Sequence, residues 1–153
     1  GEMMTFRAVL DAETDPRRRR GLLAAKVEDM LNTVVRQIAF YRFETLLHDE
    51  RAKGELSSER IGELWMQVQT ESLGPAFDFS PDYHVYWSYI PHFIHTPFYV
   101  YAYAFGDCLV NALYGVYRDG GVKDFEAKYI EMLRAGGTLR HQELLAPLRA
   151  ERR

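Results

Sequence analysis

The sequence predicts an all-α protein, and three observations predict it. Apolar residues recur at spacings of three and four through most segments, and those segments are bounded by helix punctuation at Asp15-Pro16, Gly54, Gly74-Pro75 and Gly120-Gly121. No run sustains the two-residue alternation of a strand. With 153 residues, 47% hydrophobic and 27% charged, the chain has the size and composition of one helical domain, assigned to 1–153. A net charge of −3 gives no electrostatic footprint for nucleic acid or anionic lipid, and the local run Arg17-Arg18-Arg19-Arg20 reads as a solvated helix start. No segment approaches the roughly 18 uninterrupted apolar residues of a membrane span. Neither a nucleic acid nor a membrane is therefore expected as a partner. The single cysteine, Cys108, excludes an internal disulfide, fits the reducing cytoplasm, and reads as a buried packing residue.

Taken in order, "EMMTFRAVL" is helical from the outset with no Ser, Thr, Asp or Asn immediately ahead to cap it, so a longer parent is expected. Asp15, followed by proline at the first helical position, opens a long helix that runs to about Lys53 and stops at Gly54. Its predicted core stripe is Leu23, Val27, Met30, Leu31, Val34, Ile38, Tyr41 and Thr45. Val35, Phe40, Phe43 and Leu47 fall off that stripe, so the helix is apolar on more than one side and expects several neighbours. A second helix opens at Ser57 or Ser58, buries Ile61, Leu64, Trp65, Val68 and Leu73, and ends at Gly74. Prolines at 75, 81, 91 and 97 make the next stretch loop and short turns. "FYVYAYAFGDCLVNALYGVYRDGG" begins with an alternation that imitates a strand, but its helical period continues through Phe98, Ala102, Phe105, Leu109, Leu113 and Val116. A helix from about Val122 to Ala135 and a short one capped by Thr138 complete the chain.

Of the 21 aromatic residues, 12 lie between Phe77 and Phe105. A buried tyrosine hydroxyl needs a partner or costs about 1–3 kcal/mol, so tyrosines at this density, with histidines among them, point to a polar-lined cavity as readily as to a core. His92 and His95 are three apart, but no carboxylate at a matching spacing completes a metal site. His48, His84 and His141 are isolated. The chain contains no HExxH, no CxxC, no glycine-rich phosphate loop and no serine elbow.

Four ordered blocks then carry a resemblance. "IPHFIHTPFYVYAYAFG", preceded by "DYHVYWSY" and followed by "DCLVNALYGVY", resembles the C-terminal catalytic-domain segment of oligoendopeptidase F, among the thimet-oligopeptidase-like zinc metallopeptidases. "GEMMTFRAVL", "VEDMLNTVVRQIAFYRFE" and "YIEMLRAGGTLRHQELLAPL" are similar to that family's helix after the third zinc ligand, its next long helix and its closing segment. The resemblance implies the all-α, multi-helix C-terminal part of a zincin-like oligopeptidase catalytic domain. It implies zinc in the full-length parent, held by HExxH histidines and a later glutamate outside this chain, and short peptides as substrates. It matches Glu2 to a carboxylate that supports the zinc site from behind its ligands. It matches His92, Tyr99, Tyr101 and Tyr103 to groups that donate to substrate and to the developing oxyanion. His95 receives no role beyond pocket lining, and Glu44 reads as a helix-surface residue. No zinc is expected in this segment by itself, nor any hydrolysis, and faces bared by truncation are expected to favour self-association. A helical module binding a small ligand or peptide in a tyrosine-lined pocket without chemistry is the rival reading, and a self-associating interaction protein is a third.

Overall fold

Asp15 begins the longest helical run as its position before Pro16 predicts: its carboxylate accepts from the Arg17 backbone N–H at 2.8 Å. In the computed structural model, which describes residues 1–149, the elements are α1 (Glu2–Ala12), α2 (Pro16–Met30), a π turn (Leu31–Val35), α3 (Arg36–Arg51), α4 (Ser58–Leu73), 3₁₀ turns at Gly74–Ala76 and Pro81–Tyr89, α5 (His92–His95), α6 (Tyr101–Arg118), α7 (Phe125–Ala135), α8 (His141–Leu145) and a last 3₁₀ turn at Ala146–Leu148. The described residues contain no strand, so the all-α prediction holds. The last four residues of the 1–153 assignment lie outside those described.

The chain divides into two compact units, one of Leu10–Asp107 and one of Gly1–Val9 with Cys108–Arg153. The first is built on α3 against α4. Arg60 binds Glu50 through two parallel N–H···O bonds of 2.8 and 2.6 Å and ties the end of α3 to the start of α4, while Ser57 caps α4 by accepting from the Arg60 N–H. Between the helices sits a core of Ala39, Phe40, Phe43, Leu64, Trp65, Val68 and Val100, bordered by Tyr83, Trp87 and Phe93. Its rings interlock: Phe43 stands edge-on to Trp65 at 5.3 Å and Phe93 meets Phe43 at 5.1 Å. Buried aromatic pairs of this kind add about 0.5–1.5 kcal/mol each beyond the area they remove from water. At buried Gly62 the Pro81–Tyr89 turn comes so close that a Cβ would lie 3.1 Å from the His84 carbonyl oxygen.

The predicted stripe of the long helix is overturned. Leu23, Val27, Leu31, Ile38 and Tyr41 are exposed, and the residues buried are Ala39, Phe40, Phe43 and Glu44. Both faces are apolar, and the one that packs on α4 is the one whose Phe40 and Phe43 meet the Trp65 ring. Cys108 is exposed, not buried. The helix expected from Phe98 begins at Tyr101, because Phe98 adopts φ 61°, a left-handed conformation that costs a non-glycine residue about 1–2 kcal/mol. Likewise α7 begins at Phe125 rather than Val122, since its preceding residue Asp124 is left-handed at φ 56°. Thr138 does not cap the short helix; its hydroxyl donates to the Ala135 carbonyl at the end of α7, and the Glu143 carboxylate accepts from the Arg140 N–H at the start of α8.

In the other unit, α7, α8 and the last 3₁₀ turn pack together, with Leu148 buried. A cleft of about 280 Å³ is lined by Met3, Leu113, Tyr114, Tyr117, Tyr129 and Ile130, among others.

Candidate functional site

Proline spacing determines where the histidine and tyrosines go. Pro91 precedes the single turn α5 and Pro97 follows it, so the chain makes one helical turn, leaves it at Thr96, and reverses through left-handed Phe98 before α6 begins. The reversal carries Tyr99 back over His92. The two rings lie parallel, 6° apart in plane with centroids separated by 6.1 Å. Tyr103, in the first turn of α6, meets both edge-on at 5.7 Å from His92 and 5.6 Å from Tyr99. His92 Nε2 and the Tyr103 hydroxyl are hydrogen-bonded at 3.1 Å.

Three of the four residues matched to the substrate side are thus one cluster. His92 is half-buried, and Tyr99 and Tyr103 are exposed, so the cluster is open to solvent on one side. Tyr101 is not among them. It faces away on α6, edge-on to Tyr41 at 6.0 Å, and Tyr41 in turn meets Phe98 at 6.2 Å. His95 is exposed at the end of α5. Glu2 opens α1 in the other unit and is exposed. The remaining aromatics of the dense stretch divide by burial: Tyr83, Trp87 and Phe93 border the core, and Tyr89 is 80% exposed.

Glu44 corrects the sequence reading. It is fully buried, and its Oε1 accepts from the Phe98 N–H at 2.8 Å. Its other oxygen, Oε2, is buried with no hydrogen-bond partner. Neither Arg36 nor Arg42 pairs with it; Arg42 binds Glu71 at 2.9 Å, and Arg36 lies over the Phe40 ring. Burial pushes the Glu44 carboxyl above the usual carboxylate range, opposed by the Phe98 N–H and by the nearby imidazoles of His48 and His92. The signal was in the spacing. Position 44 stands four after Phe40 and three before Leu47, on the aromatic face.

Among the described residues no group of three or more His, Cys, Asp or Glu side chains lies together as a metal site. Among them, His92 has a tyrosine, not a carboxylate, as its hydrogen-bond partner.

The family model described as Peptidase family M3 matches residues 2–153. The chain is 30% identical over 138 residues to an oligoendopeptidase F homolog of Borreliella burgdorferi, an alignment covering 90% of this chain and 23% of that protein. It is 31% identical over 146 residues to the plasmid oligoendopeptidase F of Lactococcus lactis subsp. cremoris, covering 95% and 24%. It is 31% identical over 126 residues to oligopeptidase PepF of Bacillus subtilis, covering 81% and 18%. The chain therefore spans about a quarter or less of the length of these relatives. No solved structure matches.

Proposed function

The chain belongs to peptidase family M3, and on that premise we propose that it is the C-terminal part of a zinc-dependent endopeptidase that cleaves internal bonds of short peptides. Its own contribution is the substrate side of the active site. The observation that carries this reading is the His92–Tyr99–Tyr103 cluster: two phenols and an imidazole held by a hydrogen bond and ring packing, with both tyrosines exposed.

The arrangement suits oxyanion stabilisation. When His92 Nε2 carries the proton, it donates to the Tyr103 oxygen, and the phenol's own O–H is left to donate outward to a substrate carbonyl. Polarised by the imidazole, that O–H is a stronger donor to an oxygen gaining charge. The parallel ring of Tyr99 keeps the imidazole from turning and offers a second hydroxyl to the peptide backbone. Zinc, held by residues beyond this chain, would supply the activated water, and Glu2 would buttress its ligands. The 153-residue chain, with no HExxH, hydrolyses nothing alone. Its place is the reducing cytoplasm, in keeping with one free thiol. No helix among the described residues is long and apolar enough to cross a membrane.

The test is kinetic. In the full-length parent, His92→Gln should lower kcat on an internally quenched peptide while zinc content, measured by mass spectrometry, stays at the wild-type level. Full activity in that variant would remove the imidazole from the mechanism.

A further inference from the structure

We propose that Glu44 is the positioning residue of this site, a buried carboxylate that clamps the backbone reversal at Phe98 and so sets Tyr99 and Tyr103 against His92. Nothing in the resemblance assigns Glu44 a role; the inference comes from four features of its surroundings. It reaches from the middle of α3 to the N–H of a residue 54 positions later, joining a core helix to the loop that carries the cluster. It does so with zero exposure, where an acceptor is strongest and its loss most costly. The residue it holds is one of only two non-glycine residues in a left-handed conformation among those described, and a strained conformation persists only where its surroundings over-determine it. Finally, the ring of that residue meets the His48 imidazole at 4.8 Å and Tyr41 at 6.2 Å, both on the same helix as Glu44, so the bond and the rings fix one geometry.

The coupling to the cluster is short. Phe98 is the residue before Tyr99, whose ring lies parallel to His92, and Val100 next to it is buried in the core. With the Phe98 N–H released, the reversal relaxes towards extended backbone and Tyr99 no longer returns over the imidazole. The clamp needs an acceptor, not a charge. Glutamine retains Oε1 for the Phe98 N–H, whereas methionine fills the same space with no oxygen.

The inference rests on the peptidase reading for its functional meaning, but its structural test does not. In the isotope-labelled chain, Glu44→Met should lower protection of the Phe98 amide against hydrogen exchange by at least about tenfold and shift the His92 ring resonances as Tyr99 withdraws. Glu44→Gln should preserve both. If Glu44→Met leaves Phe98 protection and the His92 resonances as in the wild type, or if Glu44→Gln disturbs them as much, the clamp does not exist as described. In the full-length parent the same pair should separate kinetically: Glu44→Met lowers kcat with KM within about twofold, and Glu44→Gln restores it. Equal activity of both variants overturns the positioning role. A wild-type parent that hydrolyses no peptide overturns the peptidase reading, and leaves the hydrogen-exchange result to decide the clamp.

Discussion

Tyr101 and Tyr103 are two residues apart on one helix and meet different partners. Tyr103 bonds to His92 Nε2, while Tyr101 packs on Tyr41. In the full-length parent, Tyr103→Phe should therefore lower kcat by about 10²–10³, the usual cost of losing an oxyanion donor, whereas Tyr101→Phe should cost less than about tenfold. Steady-state kinetics of the two variants, side by side, decides between them. The pairing of Tyr99 with Tyr103 is legible from their spacing of four, though the reason differs: Tyr99 precedes the helix and reaches the shared face through the turn at Phe98. For Glu44 two signals conflict: its spacing from Phe40 and Leu47 puts it on the buried face, but its residue type argues for the surface, because a charged residue inside a helix is by default solvated. Its raised carboxyl also has a consequence for stability. The folded state holds the proton more tightly than the unfolded one, so stability falls as pH rises from the ordinary 4.5 through the folded-state value. Glu44→Gln removes that dependence. Its melting temperature relative to the wild type should climb across this window and then level off, and a difference independent of pH would contradict the buried, uncompensated oxygen.

At the scale of elements, what was legible was punctuation. Asp15, Ser57 and Gly74 start and stop helices where their chemistry requires, because a cap is a local hydrogen bond that few neighbours can override. Which apolar face of the α2–α3 run would be buried was not legible, since periodicity shows that a face is apolar but not which partner will meet it. The α3–α4 pair yields two predictions. At Gly62, where an added Cβ would lie 3.1 Å from the His84 carbonyl oxygen, Gly62→Val adds that Cβ and two methyls and should destabilise by about 1–3 kcal/mol in denaturant titration. A wild-type midpoint would show the 81–89 turn to be freely movable. The Arg60–Glu50 pair is exposed enough to be screened, and Arg60 holds the Glu50 carboxyl below the usual range. Its contribution is present above the unfolded-state pKa of 4.5 and is lost as pH falls through the depressed folded value. Arg60→Gln should lower the melting temperature slightly at neutral pH, and the deficit should close in about 1 M salt.

For the molecule as a whole, the exposed line Leu23, Val27, Leu31, Ile38 and Tyr41 is apolar surface of the kind that promotes association. We expect this chain to self-associate through it as concentration rises, and sedimentation velocity should show Val27→Asp with Ile38→Asp to be monomeric where the wild type is not. Identical sedimentation of the two would mean that the line meets no second copy. The π turn between α2 and α3 bears on the same line in another way. There the Arg36 N–H bonds five residues back to Leu31, so the helix carries one residue more than a regular screw needs. Each residue turns an α-helix by about 100°, and that surplus residue therefore sets the azimuth of everything from Pro16 to Met30 against the core-bound α3. Winding the same residues as an unbroken α-helix would turn Leu23 and Val27 by about a quarter-turn relative to Ile38, so the wide turn, and not the side chains themselves, decides which apolar residues of α2 and α3 share a face.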